Sequence, residues 1–375
     1  MSNKIIYISA SEIPSTQANA NHVVNMCHAF AKLGFSVKIF CFSNSKNIYL
    51  DVKKFYNVFS KNIKFYKCKN IFSIFKELTI FFNFFRYYLI NKKKDIYLSR
   101  NLFAPLLIFF FSKNYLIYEA HTFERGYRKI LQKIIIKILR INTIVISNEL
   151  KLIFINEFSI NGRNIFVLHD AANANRNPNL FSIKCYKKKI FKILKNKQNC
   201  KIGYFGNLYK GRGVDFLKKL ANKMGSYNFL VFGKSFSYKS KNNLYFYGFI
   251  KPKNVYKTMC CVDFLIMPYQ KKVFIGVGKS DTSAWMSPLK MFEYMSAKKP
   301  IITSSNKVLK EVLRHKENCI MIKGYDVKKW IVEINRLNKN KKLQHKISKK
   351  AYEEYQNKYT WNIRAINILK IFKNI

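Results

Sequence analysis

The chain has 375 residues, is 49% hydrophobic and carries 69 Lys and Arg against 19 Asp and Glu, a formal net charge of +50. Its length predicts roughly two domains, and its apolar content is enough to build real cores. Its longest apolar runs, FFNFFRYYLI and LFAPLLIFFF, are too short to span a bilayer, and its eight cysteines show no CxxC, which excludes zinc spacing and a disulfide framework.

Lys4–Ala10 (KIIYISA) is apolar without alternation and predicts a first parallel strand rather than a signal peptide. The polar loop SEIPSTQANAN follows, with Asn19 near its end and His22 just beyond as site candidates. His22 to Leu33 carries apolar residues at helical spacing and stops at Gly34, a suitable C-cap. Ser36–Phe42 is a second strand, so the chain opens as a doubly wound α/β sheet does. Further strands are predicted at Ile96–Ser99, Tyr115–Tyr118, Thr143–Ser147 and Ile165–Leu168, and a basic, apolar helix over Tyr127–Arg140. YEAHTFE sets Glu119, His121 and Glu124 at the end of one strand, where doubly wound folds place ligands. His121 is the site candidate there, and the two glutamates read as solvated. His169 and Asp170, in VLHDAAN, are further candidates of the same kind.

Composition shifts between Asn173 and Cys200, where NANRNPN reads as a linker and CYKKKIFKILKNKQNC as a basic connecting segment. A second strand–helix series starts at Lys201. KIGYFG is a strand, Val214–Met224 a helix, and Phe229–Phe232, Leu244–Tyr247 and Val262–Met267 are strands. Adjacent Cys260 and Cys261 read as buried packing residues. The last helical stretch, from about Lys341 to Ile375, is longer than one unit needs and is expected to cross back to the first domain. Two Rossmann-like domains facing a cleft are the predicted architecture, with a ligand at the C-terminal ends of the strands.

Two segments of the second half carry the chemistry. In SPLKMFEYM, Ser287 is the expected N-cap and Pro288 the expected first helical residue, ahead of Leu289. A helix N-terminus binds anions, most often phosphate. Glu293 falls one turn after Leu289 near the apolar face, where a carboxylate is costly without a partner. Together they suggest a nucleoside diphosphate and the hydroxyls of its ribose; the competing reading is a surface helix with a Lys290–Glu293 pair. In GYFGNLYKGRG, Gly206 ends a strand, Gly211 and Gly213 permit close backbone approach, and Arg212 stands beside a helix start, suited to a diphosphate. Asp281 either touches a bound sugar or is loop. The charge draws the chain toward anionic lipid. Lys, Ile, Asn, Phe and Tyr share A/T-rich codons, however, so part of it reads as genome bias.

In this order along nearly the whole chain, YEAHTFE, VISNEL, KIGYFGNLYKGRGVDFL, FLIMPY, SPLKMFEYMSAKKPIITSS and YTWNIRA resemble the family-four, GT-B-fold glycosyltransferases. The resemblance implies an acceptor domain over residues 1–178 joined by a returning helix over 355–375, and a donor domain over 198–354. It implies a retaining transferase moving a sugar from a UDP- or GDP-linked donor to an acceptor hydroxyl on a glycan or lipid-linked glycan, in surface polysaccharide or lipopolysaccharide assembly. No metal and no cofactor besides the donor is expected, nor specific nucleic acid. The expected place is the cytoplasm, with peripheral contact to an anionic membrane. Carried over by position, Glu293 is the ribose-binding glutamate, Arg212 with Gly206 and Asn207 forms the diphosphate turn, Ser287–Leu289 lie by the phosphates, and His121 lies near the transferred sugar. Two positions depart from the pattern: Trp285 stands where a first glutamate is expected, and Asn207 where an arginine is common. The first keeps open an inactive homologue acting as a partner subunit. A nucleic-acid-binding protein is the rival of another class, but it needs aromatics and cations grouped on one surface, and these aromatics lie in core-like runs.

Overall fold

The computed structural model describes residues 3–68, 76–91, 95–112, 115–173, 180–234, 240–275 and 280–373. The chain divides into two compact units, residues 1–170 with 361–375, and residues 171–360.

The first unit holds a seven-stranded sheet. Its strands are β1 (Lys4–Glu12), β2 (Ser36–Phe42), β3 (Ile63–Cys68), β4 (Ile96–Ser99), β5 (Leu116–Ala120), β6 (Thr143–Val145) and β7 (Ile165–Val167). Their order is β3-β2-β1-β4-β5-β6-β7, with every pairing parallel. β1 lies inside the sheet between β2 and β4, and Ile5 to Ile8 are wholly buried, as a strand covered on both faces requires. Edge strand β3 escapes a reading by apolar runs, because Lys64 and Lys67 interrupt it. The predicted basic helix forms as an α-helix over Tyr127–Lys133 that passes into a π-helical turn at Ile134–Ile138.

The second unit repeats the plan with β8 (Cys200–Phe205), β9 (Tyr227–Phe232), β10 (Leu244–Gly248), β11 (Phe264–Met267), the short antiparallel pair β12 (Phe274–Ile275) and β13 (Ser280–Asp281), β14 (Ile301–Ser304) and β15 (Ile320–Ile322). The main sheet runs β10-β9-β8-β11-β14-β15, all parallel. Successive residues feed opposite cores. Tyr204, Val231 and Ile266 pack with Phe216 and Trp330 on one face, while Phe205, Phe232 and Met267 pack with Phe292 and Tyr294 on the other. β15, an edge strand of three residues, has no counterpart among the predicted strands.

Three expectations need correction. Part of the basic connecting segment is a helix, Leu180–Phe191; residues 174–179 of the predicted linker lie outside the described residues. The terminal stretch is two helices, Lys341–Lys358 and Trp361–Lys373. They part at Tyr359–Thr360, where Ala172 N–H donates to the Tyr359 carbonyl at 3.0 Å and Ala172 bridges Thr360. Of the adjacent cysteines, Cys261 is buried but Cys260 is only half-buried; all eight are free thiols. Among the described residues no helix is long and apolar enough to cross a membrane.

Candidate active site

The second unit gathers its cations around two tyrosines. The turn after β8 is shaped by glycine. A side chain on Gly211 would meet the Lys272 carbonyl oxygen at 1.9 Å, and one on Gly213 the Pro268 carbonyl oxygen at 2.1 Å, both at positive φ. The close approach these glycines permit is therefore to the protein's own loop after β11, and Gln270 N–H donates to the Gly211 carbonyl at 2.8 Å. This seats Arg212 against Tyr269. Its guanidinium donates to the Tyr269 hydroxyl at 3.1 Å and lies 5.5 Å from the ring centre, while its buried Nε has no hydrogen-bond partner.

Helix Leu289–Ser296 brings in a second cation. Its N-cap is Pro288, with extended backbone, so Ser287 lies one residue outside the predicted position and Pro288 is not the first helical residue. Proline disfavours helical backbone in the residue before it, and its ring offers no acceptor to cap the helix. The helix is no surface helix: Lys290, Met291, Phe292, Tyr294, Met295 and Ser296 are buried. Lys290 is 7% exposed, and its Nζ stands 4.0 Å from the centre of the Tyr204 ring and 5.0 Å from that of Tyr269. No hydrogen bond reaches that Nζ, so the expected pair with Glu293 is not formed. Burial, reinforced by Arg212, pushes the Lys290 ammonium well below its ordinary value. Burial likewise raises the partly open Glu293 carboxyl to about 7, against the pull of Lys290. Gly206 completes the site: a side chain there would lie 2.9 Å from Lys290 Cε and Nζ. Asn207 accepts the Tyr204 hydroxyl on its carbonyl at 2.9 Å. Trp285 is buried.

The first unit builds a different cluster, around Glu119. This carboxylate is 1% exposed, so its reading as a solvated group is overturned. It accepts the Tyr7 hydroxyl, lies 3.0 Å from His22 Nε2 and 3.2 Å from His121 Nε2, and pairs with Arg364 at 2.8 Å. His22 Nδ1 is 2.8 Å from Asp170. Burial alone would raise Glu119, but His22 and Arg364 outweigh it and hold the carboxyl well below the usual range. His121 goes the other way: burial, helped by Arg100, lowers its imidazole to about 4, so it is neutral at physiological pH. His121 Nε2 faces the carboxylate without a formed hydrogen bond; with the proton of the neutral ring on that nitrogen, Nδ1 is left as an acceptor, suited to a hydroxyl. The ligand atoms of His22, His121 and Asp170 lie within 4.8 Å of one another, as a metal site would require. Both His22 nitrogens are engaged, however, and Arg364 already supplies a cation.

The loop that carries His121 is pinned by buried Gln132. Its amide donates to the Tyr118 hydroxyl and the Thr122 carbonyl, both at 3.0 Å, and accepts Glu124 N–H at 3.0 Å. Glu124 itself makes a two-point bond with Arg128, at 2.8 and 2.9 Å. Asp281 accepts the Val273 and Ser283 N–H groups at 3.0 and 2.9 Å and so holds the β12–β13 hairpin. Of the further candidates His22 and Asp170 join the Glu119 cluster, whereas His169 Nδ1 lies 3.0 Å from the Ile146 carbonyl. Sequence reasoning missed Lys290, whose signal was burial beside Glu293, and Arg364, which lies within YTWNIRA but was given no role there.

Residues 186–354 match the family described as glycosyl transferases group 1. No curated protein matches the chain. Among solved structures, the chain is similar to sucrose-phosphate synthase from Thermosynechococcus elongatus, at 13% identity and a TM-score of 0.73, covering 99% of this chain and 98% of that one. HepE from Anabaena, in complex with UDP and glucose, is 12% identical with a TM-score of 0.72, covering 99% and 100%. WaaG, a glycosyltransferase involved in lipopolysaccharide biosynthesis, is 11% identical with a TM-score of 0.64, covering 98% and 99%. The second unit therefore carries a match to the group 1 glycosyl transferases, and the whole chain has the α/β fold of the GT-B glycosyltransferases.

Proposed function

We propose that this protein transfers a hexose-like sugar from a nucleoside diphosphate sugar, UDP- or GDP-linked, to an acceptor hydroxyl with retention of configuration. The observation that carries the reading is the cationic site of the second unit, where Arg212 borders Tyr269 and Glu293 follows on the adjacent helix. Arg212 and the positive end of helix Leu289–Ser296, with the backbone of Ser287, Pro288 and Leu289 before it, stabilise charge growing on the leaving diphosphate. Glu293 accepts the ribose hydroxyls, and Gly206 and Asn207 line the turn. In the first unit, neutral His121 orients the sugar or acceptor through Nδ1. No carboxylate is assigned as a nucleophile, so attack on the same face, assisted by the leaving phosphate, is the mechanism. No metal or cofactor beyond the donor is assigned.

Two similar structures support the substrate class, since HepE is seen in complex with UDP and glucose and WaaG is involved in lipopolysaccharide biosynthesis. A surface glycan or lipid-linked glycan is the acceptor. Peripheral contact with an anionic membrane from the cytoplasmic side is supported by the net charge of +50 and by exposed Phe82, Ile90, Phe110 and Phe111 in the first unit. A thermal-shift and turnover screen across UDP-, GDP- and ADP-sugars tests the donor; binding of none of them overturns the reading. Unchanged donor affinity and turnover in Glu293→Ala removes the ribose role. Flotation with anionic liposomes at low salt tests the membrane contact, which fails if the protein stays in the aqueous fraction.

A further inference from the structure

Lys290 stands out among the buried ionisable groups because nothing in the fold uses its charge. Its Nζ has no hydrogen-bond partner, and Glu293, one turn along, does not pair with it. Its neighbours are ring faces, which attract a cation but do not replace hydration. Besides Glu293, the charge that acts on it is another cation, Arg212, and the two share the Tyr269 ring. Bringing two like charges into a poorly solvated site destabilises a fold unless an anion joins them. The amine lies against Gly206, where a side chain would come within 2.9 Å of Nζ. A position that served packing alone would hold leucine or methionine. The site also lies at the start of an eight-residue helix, whose N–H groups favour an anion at the same end.

We propose that Lys290 is the second cation of the diphosphate site: with Arg212 it grips the diphosphate of the bound nucleotide, and it supplies much of the preference for a diphosphate over the bare nucleoside. This rests on the donor reading above. The amine waits against the two tyrosines and is fully charged when the diphosphate arrives.

Calorimetric titration of the full chain with UDP, GDP, uridine and guanosine, beside Lys290→Met, tests it. Losing one charge-assisted contact predicts about 10- to 100-fold weaker diphosphate binding in the variant. Nucleoside binding should be unchanged, and Tm equal to or above that of the wild type, because an unpaired buried amine is gone. Should Lys290→Met lower Tm instead, the same diphosphate-to-nucleoside ratio is read from Lys290→Gln. Diphosphate binding within twofold of wild type in a folded variant overturns the assignment to Lys290 and leaves the donor reading standing. Equal losses for diphosphate and nucleoside also overturn it, as a merely structural effect. A wild-type protein that binds neither diphosphate overturns both.

Discussion

Each unit buries a cluster of ionisable side chains near the C-terminal ends of its strands, and the two are built on opposite terms. Around Glu119 the carboxylate is well served: the Tyr7 hydroxyl, His22 and Arg364 converge on it, Asp170 backs His22, and His121 Nε2 stands 3.2 Å away without a formed hydrogen bond. Around Tyr269 the charges are left wanting, with Lys290 Nζ and Arg212 Nε unbonded and the Glu293 carboxyl raised to about 7. A satisfied buried network fixes geometry, since removing one member strands the rest. An unsatisfied one lowers stability in the free protein and gains on meeting a ligand of the right charge. The first cluster is thus read as scaffold for His121, the second as a binding site.

The contrast can be broken by mutation. The largest expected effect is on stability in the first unit. Glu119→Ala leaves Arg364 and His22 without their shared carboxylate and should cost about 3–5 kcal/mol, read by urea denaturation. A loss below 1 kcal/mol would mean the network is not mutually dependent. In the second unit the order reverses. Arg212→Ala should cut kcat/KM for the nucleotide sugar by about 10²-fold or more, as removal of a group that stabilises transition-state charge does. Its Tm should move much less than that of Glu119→Ala. An equal fall in Tm would place Arg212 in the scaffold.

The smallest net effect expected in the wild type is the pH dependence of stability, because two groups act with opposite signs over overlapping windows. His121 is lowered from its ordinary 6.5 to about 4, so the unfolded chain binds more protons in that window. Its contribution is lost as pH falls from about 6.5 to 4. Glu293 is raised from its ordinary 4.5 to about 7, so there the folded chain binds more protons. Its contribution is present at low pH and fades as pH rises from about 4.5 to 7. Stability profiles of His121→Asn and Glu293→Gln against wild type should each remove one slope, the rising and the falling limb respectively. Profiles parallel to wild type would show that neither group titrates as its surroundings require.

Much of the fold was legible because parallel strands covered on both faces read as unbroken apolar runs, as KIIYISA and FLIM do. The strands that escaped are β3, interrupted by two lysines at an edge, the two-residue β12 and β13, and the edge strand β15. At the proposed donor site, Arg212 and Glu293 were legible because a glycine turn and a helix start are local patterns. Lys290 was visible as a residue but not as an unpaired one, since an i,i+3 neighbour of opposite charge suggests a pair on any exposed helix.

The sequence by itself determined the alternation of strands and helices and the two-unit order, and it picked out the candidate phosphate-site residues, because short-range periodicity and turn chemistry are written in consecutive positions. Only the tertiary structure decided which charges are satisfied. His22 reaches Glu119 across 97 positions and Asp170 across 148, while Arg364 arrives from a helix near the end of the chain. No spacing rule spans such distances, because burial and partnership belong to the packed surfaces that the sheet brings together and not to any segment of the chain.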